Sequence, residues 1–467
     1  MKWLAVLAVW AAKLIMFLIK LTGLGRASSL PGKVALRVCP SLLGHLGKQT
    51  ECLVVTGTNG KTTTANMLAG ILEHAGYTVL ANREGANLLT GVATAFARSS
   101  TLGARINSDY AVLEIDEAVF PVVIRWIKPR LVVVTNFFRD QLDRYGELDI
   151  TVSKVVEALN KLQHTVLVLN ADDPLVARIA RESDHAARFY GVFPDARLAG
   201  KASYSREAKF CSFCGKMLSY RVYFYSQLGD YKCTQCGFGR PQPDTEAAAV
   251  QSDVFATLAR VRAGNDTRQM ALSVGGLHNL YNALAAVTAA QLLGVKLETA
   301  MDSLQCYRPA TGRMEIFAYG RKQVVLTLVK NPAGFNQALA GMLAGGDNSK
   351  DVLMVINDNA ADGRDISWLW DVDFEVMAGC FGQFTRFVCS GQRAEDMALR
   401  LKYAGVPVSL ITVEKDYRRA IASVLQGEGT VANIMTTYTA LWPVEKILSR
   451  WAERAGQHAP YGMSHVS

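Results

Sequence analysis

The 467-residue chain is short of several things that would settle its class at once. It has no run of lysine or arginine interleaved with aromatic residues, so nucleic acid is excluded as its main partner even at a net charge of +9. Nucleotides, phosphorylated substrates and acidic lipid surfaces suit that charge better. It has no disulfide framework: of nine cysteines, four sit in two C-x-x-C pairs while Cys39, Cys52, Cys306, Cys380 and Cys389 are scattered, the pattern of a reducing compartment. It has no internal repeat and no low-complexity stretch. It also lacks an uninterrupted apolar span of about 20 residues. The nearest candidate, residues 1–22, is broken at Lys13 and runs into no convincing small-residue cleavage site. Three readings stay open for it: a helix packed on the first domain, an interfacial helix with Trp3, Trp10 and Phe17 toward a membrane, or a span. Histidine is scarce as well, with none between His278 and His458.

What is present is a regular alternation. The apolar runs "CLVVTG", "YAVLEID", "RLVVVTN" and "TVLVLNADD" are each followed by a longer segment, which predicts a parallel sheet with covering helices. Each run ends in polar residues, where open α/β sheets place ligands. Near residue 200 the pattern gives way to a Tyr-, Cys- and Gly-rich stretch that reads as an inserted small β module. It then resumes with "MALSVGGLHNLYNALAAVTAAQLLG". A further α/β series begins near residues 306–316, with expected strands "QVVLTLV", "DVLMVIN", "RFVCSG", "PVSLIT" and "TVANIMT".

The most informative stretch is "LVVTGTNGKTTTANML" (53–68). A glycine turn between a strand and a helix presents backbone N–H groups to phosphate, aided by the helix dipole. Thr58, Asn59, Gly60, Lys61, Thr62 and Thr63 are the candidate nucleotide contacts, with Lys61 on the terminal phosphates and the Thr62 hydroxyl on Mg²⁺. The spacing is unusual, because G-x-x-x-x-G-K-[ST] needs glycine at 55 and this chain has Val55. "LEIDEAVFP" supplies Glu114, Asp116 and Glu117, of which Glu114 is the expected Mg²⁺ ligand. "TNFFRDQLDRYGE" and "LNADDP" offer Asn136, Asp140, Asp143, Asp172 and Asp173, some of which must be helix caps and turn formers. Cys211, Cys214, Cys233 and Cys236 form C-x2-C-x18-C-x2-C with glycine after each pair, which predicts a closed structural Zn²⁺ site. "DNAADGRDISWLWDVDFE" (358–375) carries five aspartates around Trp368 and Trp370. Its composition leaves open a polar turn leading into an amphipathic helix, or the edge of a site or interface.

In order, "TGTNGKTTT", "LEIDE", "TNFFRDQLDRYGE", "NADDP", "GGLHNLYNALAA" and "GRME" resemble the Mur ligases, the ATP-dependent enzymes that build the peptidoglycan stem peptide. The resemblance covers essentially the whole chain after residue 30, and the compact glycine spacing is similar to theirs. The four-cysteine insertion, "NREGAN", "KNPAGFNQAL" and the aspartate-rich segment narrow it to the Mur-ligase-like subunits of a glutamine-dependent amidotransferase acting on lipid II. The resemblance implies an α/β, Mur-ligase-like fold: an N-terminal helical segment over 1–45, a central P-loop ATPase domain over 46–310 with a zinc ribbon inserted at about 205–240, and a C-terminal Rossmann-like α/β domain over 311–467.

It also implies an activity. ATP and Mg²⁺ would phosphorylate the α-carboxylate of D-glutamate in lipid II, and ammonia from a GatD-type class I glutaminase would convert the acyl phosphate to the amide. Carried over residue by residue, Lys61 and Thr62 serve phosphate and Mg²⁺, Glu114 serves Mg²⁺, Asn282 sits near the adenine and Arg313 reaches the phosphates from the hinge side. Asp365 completes the partner's Cys–His pair, with Asp362 as its competitor. The histidine-poor C-terminal domain agrees with this division, since a self-contained glutaminase needs a base beside its nucleophilic cysteine. One departure bears on the nucleophile: Lys330, Asn331 and Pro332 stand where amino-acid-adding Mur ligases carry His-Asn-Pro, which fits ammonia. No lysine is assigned as carbamylated. The implied location is the cytoplasm, at the inner face of the membrane. The competing expectations are a stand-alone Mur or folylpolyglutamate-type ligase and a nucleotide-gated scaffold.

Overall fold

The computed structural model describes residues 2–22, 28–82, 86–139, 148–195, 198, 207–252, 256–308, 313–344 and 349–454. Asp140 and Asp143 lie outside the described residues. The chain forms two compact units that divide at Arg308 and Pro309.

In the first unit the apolar runs become β1 (Glu51–Thr56), β2 (Val79–Ala81), β3 (Tyr110–Glu114), β4 (Leu131–Val134), β5 (Val166–Asn170) and β6 (Ala187–Val192). Strand β1 is buried at every residue after the first, as a parallel strand covered on both faces must be. The insertion holds a two-stranded antiparallel hairpin, β7 (Ser219–Tyr225) and β8 (Leu228–Lys232), that stands outside the large sheet. Strands β9 (Thr245–Ser252), β10 (Thr257–Ala263) and β11 (Asp266–Leu272) complete a nine-stranded sheet of order β11-β10-β9-β6-β5-β4-β1-β3-β2. From β2 to β9 every pairing is parallel, and the last two are antiparallel. Because β1 lies between β3 and β4, the order reverses there. The loops leaving β1, β3 and β4 therefore open on one crevice, the usual ligand position in such sheets.

The second unit is a seven-stranded sheet of order β16-β15-β14-β17-β13-β12-β18. Its strands are β12 (Arg313–Tyr319), β13 (Lys322–Leu328), β14 (Lys350–Val355), β15 (Phe384–Ser390), β16 (Ile411–Val413), β17 (Val431–Thr436) and β18 (Glu453–Arg454). Along β14 the side chains alternate: Val352 and Met354 enter the core on one face, Leu353 and Val355 the core on the other.

Residues 358–375 form no α-helix. They turn through two short 3-10 segments, Ser367–Asp371 and Phe374–Met377. The buried Arg400 gives the reason, since it donates to the carbonyls of Leu369 (3.1 Å) and Val372 (2.7 Å), acceptors that a continuous helix would use internally.

Candidate active site

The phosphate loop is built by its neighbours as much as by its own sequence. Gly57 and Gly60 both adopt left-handed φ, +118° and +82°. A Cβ on Gly57 would lie 2.4 Å from Thr135 Oγ1, and one on Gly60 would lie 2.1 Å from Asn282 Oδ1, so neither position accepts a side chain. The end of β4 clamps the turn. Thr58 N donates to Asn136 O and Asn59 N to Asn136 Oδ1, both at 2.9 Å, while Thr135 Oγ1 donates to Asn59 O at 2.8 Å. On the other side the helix Leu277–Leu292 brings Asn282 against the loop, where its Oδ1 accepts from Thr64 Oγ1 at 3.3 Å. Thr58, Thr62 and Thr63 are buried in the turn and in the first turn of the helix Lys61–His74.

Lys61 is buried, and its Nζ donates to the carbonyls of Gly57 and Thr58 and to Glu117 Oε2 at 2.9 Å. Burial by itself pulls the lysine pKa down. The carboxylates of Glu117, Asp116 and Glu114 outweigh it and raise the pKa, so the ammonium stays charged. Glu114, at the end of β3, is buried too. Its Oε1 accepts from Asn87 Nδ2 at 3.2 Å, whereas its Oε2 is buried with no hydrogen-bond partner among the described residues. An uncompensated carboxylate oxygen beside a phosphate loop suits a hard cation with oxygen ligands.

The four cysteines converge. All four Sγ atoms lie within 4.8 Å of one another, with Cys211–Cys236 at 3.5 Å and Cys214–Cys233 at 3.4 Å. Four thiolates around Zn²⁺ at about 2.3 Å stand roughly 3.8 Å apart, so the cluster has the right size. The two knuckles repeat one construction: Gly215 and Gly237 share φ +72°, and Cys211 N and Cys233 N donate to the carbonyls of Lys216 and Phe238.

This module is bolted to the strand ends that hold the loop. Gln227, in the hairpin turn, donates to Phe137 O at 2.6 Å, and Arg240 pairs with the fully buried Asp172 at 2.5 Å. Asp172 also accepts from Tyr281 Oη (2.7 Å) and Val192 N (2.8 Å). Its neighbour Asp173 caps the helix Pro174–Ala177 and accepts from Phe137 N at 3.1 Å. Burial pushes the Asp173 carboxyl up to about 7 although backbone N–H groups of Phe137, Leu175 and Val176 pull it back.

The second unit separates its two candidate aspartates. Asp362 is buried; its Oδ1 accepts from Thr439 N at 2.7 Å and its Oδ2 from Thr439 Oγ1 at 2.5 Å. Asp365 is exposed, and its Oδ1 accepts a local bond from Ser367 N at 2.8 Å. Asn331 is likewise committed, its Oδ1 accepting from Gly334 N at 2.9 Å at the start of the helix Pro332–Ala344. Arg313 opens β12 in this unit.

Comparison with known proteins gives two family matches, the Mur ligase middle domain over residues 55–290 and the MurT ligase C-terminal family over 328–441. The lipid II isoglutaminyl synthase (glutamine-hydrolyzing) subunit MurT of Staphylococcus aureus is 38% identical over 91% of this chain and 93% of its own. The chain belongs to the MurT family. The MurT subunit of Streptococcus pneumoniae is 37% identical over 92% of this chain and 94% of its own. Among solved structures, a pseudomurein peptide ligase type C from Methanothermus fervidus shares the fold at a TM-score of 0.65, with 23% identity over 86% of this chain and 79% of that one. As a MurT-family protein the chain is a ligase with the Mur-type α/β fold.

Motif reasoning overlooked two features of this MurT-family chain. One is Glu117 as the ion-pair partner of Lys61; the only signal was its place three residues after Glu114. The other is the union of Arg240 and Asp172, 68 residues apart, which no local pattern announces.

Proposed function

We propose that this chain is the synthetase subunit of a lipid II isoglutaminyl synthase. It uses ATP to activate the α-carboxylate of D-glutamate in the stem peptide, and a GatD-type class I glutaminase supplies the ammonia. The observation that carries the reading is the 38% identity to a MurT subunit over 91% of the chain, which takes in both the phosphate loop and the aspartate-rich segment.

The loop N–H groups and the permanently charged Lys61 receive the triphosphate of ATP. Glu114 and the Thr62 hydroxyl would hold Mg²⁺, which when bound neutralises phosphate charge. Asn282 keeps the loop in its compact form. The glutamate carboxylate oxygen attacks the γ-phosphorus, the bond to ADP breaks, and an acyl phosphate results. Ammonia then adds to the carbonyl carbon, the bond to phosphate breaks, and the amide is released with inorganic phosphate, which takes up the proton that ammonia loses. Zn²⁺ on the four cysteines is structural.

Asp365 orients and stabilises the imidazolium of the partner's Cys–His pair, the part an acid plays in such a triad. Its exposure supports this assignment over Asp362, whose two oxygens are already used. Lys330 in place of the histidine of His-Asn-Pro supports ammonia, not an amino acid, as the incoming nucleophile.

Hydroxylamine tests the activation step. Purified chain incubated with lipid II and ATP, with no nitrogen source, should yield a hydroxamate at the D-glutamate α-carboxyl on quenching. ADP release without hydroxamate would refute the acyl phosphate.

A further inference from the structure

The N-terminal helix Lys2–Thr22 packs inside out. Its small residues Ala5, Ala8, Val9 and Ala12 are fully buried against the helices Leu30–Val38 and Leu89–Ser99. Its large apolar residues face away: Trp3, Leu7, Trp10, Leu14, Phe17 and Leu21 are 54% to 83% exposed. Their spacing of four, three, four, three and four residues draws one stripe along the whole helix. A bare apolar stripe of that length marks a surface that is covered in use.

The charge around it says by what. The first 50 residues hold seven lysines and arginines (Lys2, Lys13, Lys20, Arg26, Lys33, Arg37 and Lys48) and no aspartate or glutamate, so they carry seven of the chain's nine net positive charges. A second copy of so cationic a surface would be repelled, whereas an anionic bilayer would be attracted. Lys13 does not interrupt the stripe, because its Nζ is drawn to the flank by Arg98 O at 3.0 Å. Trp10 Nε1 donates to Leu102 O at 2.8 Å, and Leu102, itself 62% exposed, widens the apolar surface. The same packing argues against crossing the bilayer, since a spanning helix would have to leave the partners that seal its small-residue face.

We propose that Lys2–Thr22 is an in-plane membrane dock, seating the first unit on an anionic lipid surface with the stripe at the acyl boundary and the cations over the headgroups. The inference goes beyond the proposed chemistry and stands or falls separately from it.

Flotation of the full chain with phosphatidylcholine vesicles, with and without phosphatidylglycerol, tests it. The wild type should float with the anionic vesicles and bind about tenfold or more weakly without phosphatidylglycerol. The Leu7→Glu/Leu14→Glu variant should remain at the bottom while its thermal melt and ATP binding match the wild type. A Lys2→Glu/Lys20→Glu variant, which leaves the apolar stripe intact, should lose binding to the anionic vesicles selectively. Three results would overturn the proposal: a wild type that stays at the bottom with both vesicles, one that resists alkaline extraction as a span does, or a vesicle-free dimer that Leu7→Glu/Leu14→Glu dissociates.

Discussion

The two units place their acidic loops in the same way, beyond the C-terminal ends of parallel strands, yet treat them oppositely. In the first unit the carboxylates are buried and set around a lysine, with Glu117 on Lys61 and Glu114 keeping one oxygen unpaired. In the second, the loop after β14 spends its buried aspartate, Asp362, on holding Thr439 and leaves Asp365 in solvent. Buried charge is costly unless compensated, so a cluster such as the first persists where a ligand and a metal complete it. An exposed carboxylate carries no such cost and little chemistry of its own. The first site is therefore set to hold charged ligands, and under the proposed function the exposed Asp365 is free of structural duty and open to a site on another chain.

The sharpest way to break this contrast is to remove the metal. One zinc per chain is expected by elemental analysis, and structural Zn²⁺ contributes on the order of 10 kcal/mol to small modules. Cys211→Ser should unfold the hairpin, loosen Arg240 from Asp172 and cripple nucleotide binding in the first unit, while hydrogen exchange in the second unit stays unchanged. Metal-free protein with full activity would refute the structural assignment. Next in size is Asp365→Ala. It should lower glutamine-driven amidation by up to about 10⁴-fold and leave ammonium-driven amidation intact. Asp362→Ala should instead cost roughly 1–3 kcal/mol of stability and affect both nitrogen sources alike.

Lys61→Met should slow amidation by about 10²–10³-fold with either source. It also strands Glu117 in the interior, so Lys61→Met/Glu117→Gln should recover the fold without the activity, as melting and turnover measured together would show.

The smallest effect concerns pH. With its folded pKa raised to about 7, Asp173 binds its proton more tightly in the folded than in the unfolded chain. Its contribution is favourable at low pH and is lost as pH rises from the ordinary carboxylate range through 7, at up to about 1.4 kcal/mol per pH unit. Asp173→Asn should flatten that slope in denaturant titrations across pH 5–7; an unchanged slope would remove Asp173 as its source.

Much of this was legible in the sequence because it is local. A buried strand followed by G-T-N-G-K-T-T and two C-x-x-C knuckles specify their geometry over a few residues each, and β1 with its phosphate loop and the sulfur cluster follow that reading. What was not legible depends on long-range packing. Gly60 is forced by Asn282, 222 positions later in the sequence. The aspartate-rich segment stays out of an α-helix because of Arg400, which lies beyond it in the chain. Composition alone could not separate Asp362 from Asp365 either, since three residues of spacing say nothing about which one Thr439 will cover.

Under the proposed function, activation resides in this chain and ammonia production in another. The direct test is amidation of lipid II by the purified chain with ATP, comparing ammonium with glutamine, before and after adding the glutaminase. This division of labour predicts product from ammonium with the chain alone, and product from glutamine only once the partner is present. Glutamine-driven amidation by the chain alone would contradict it.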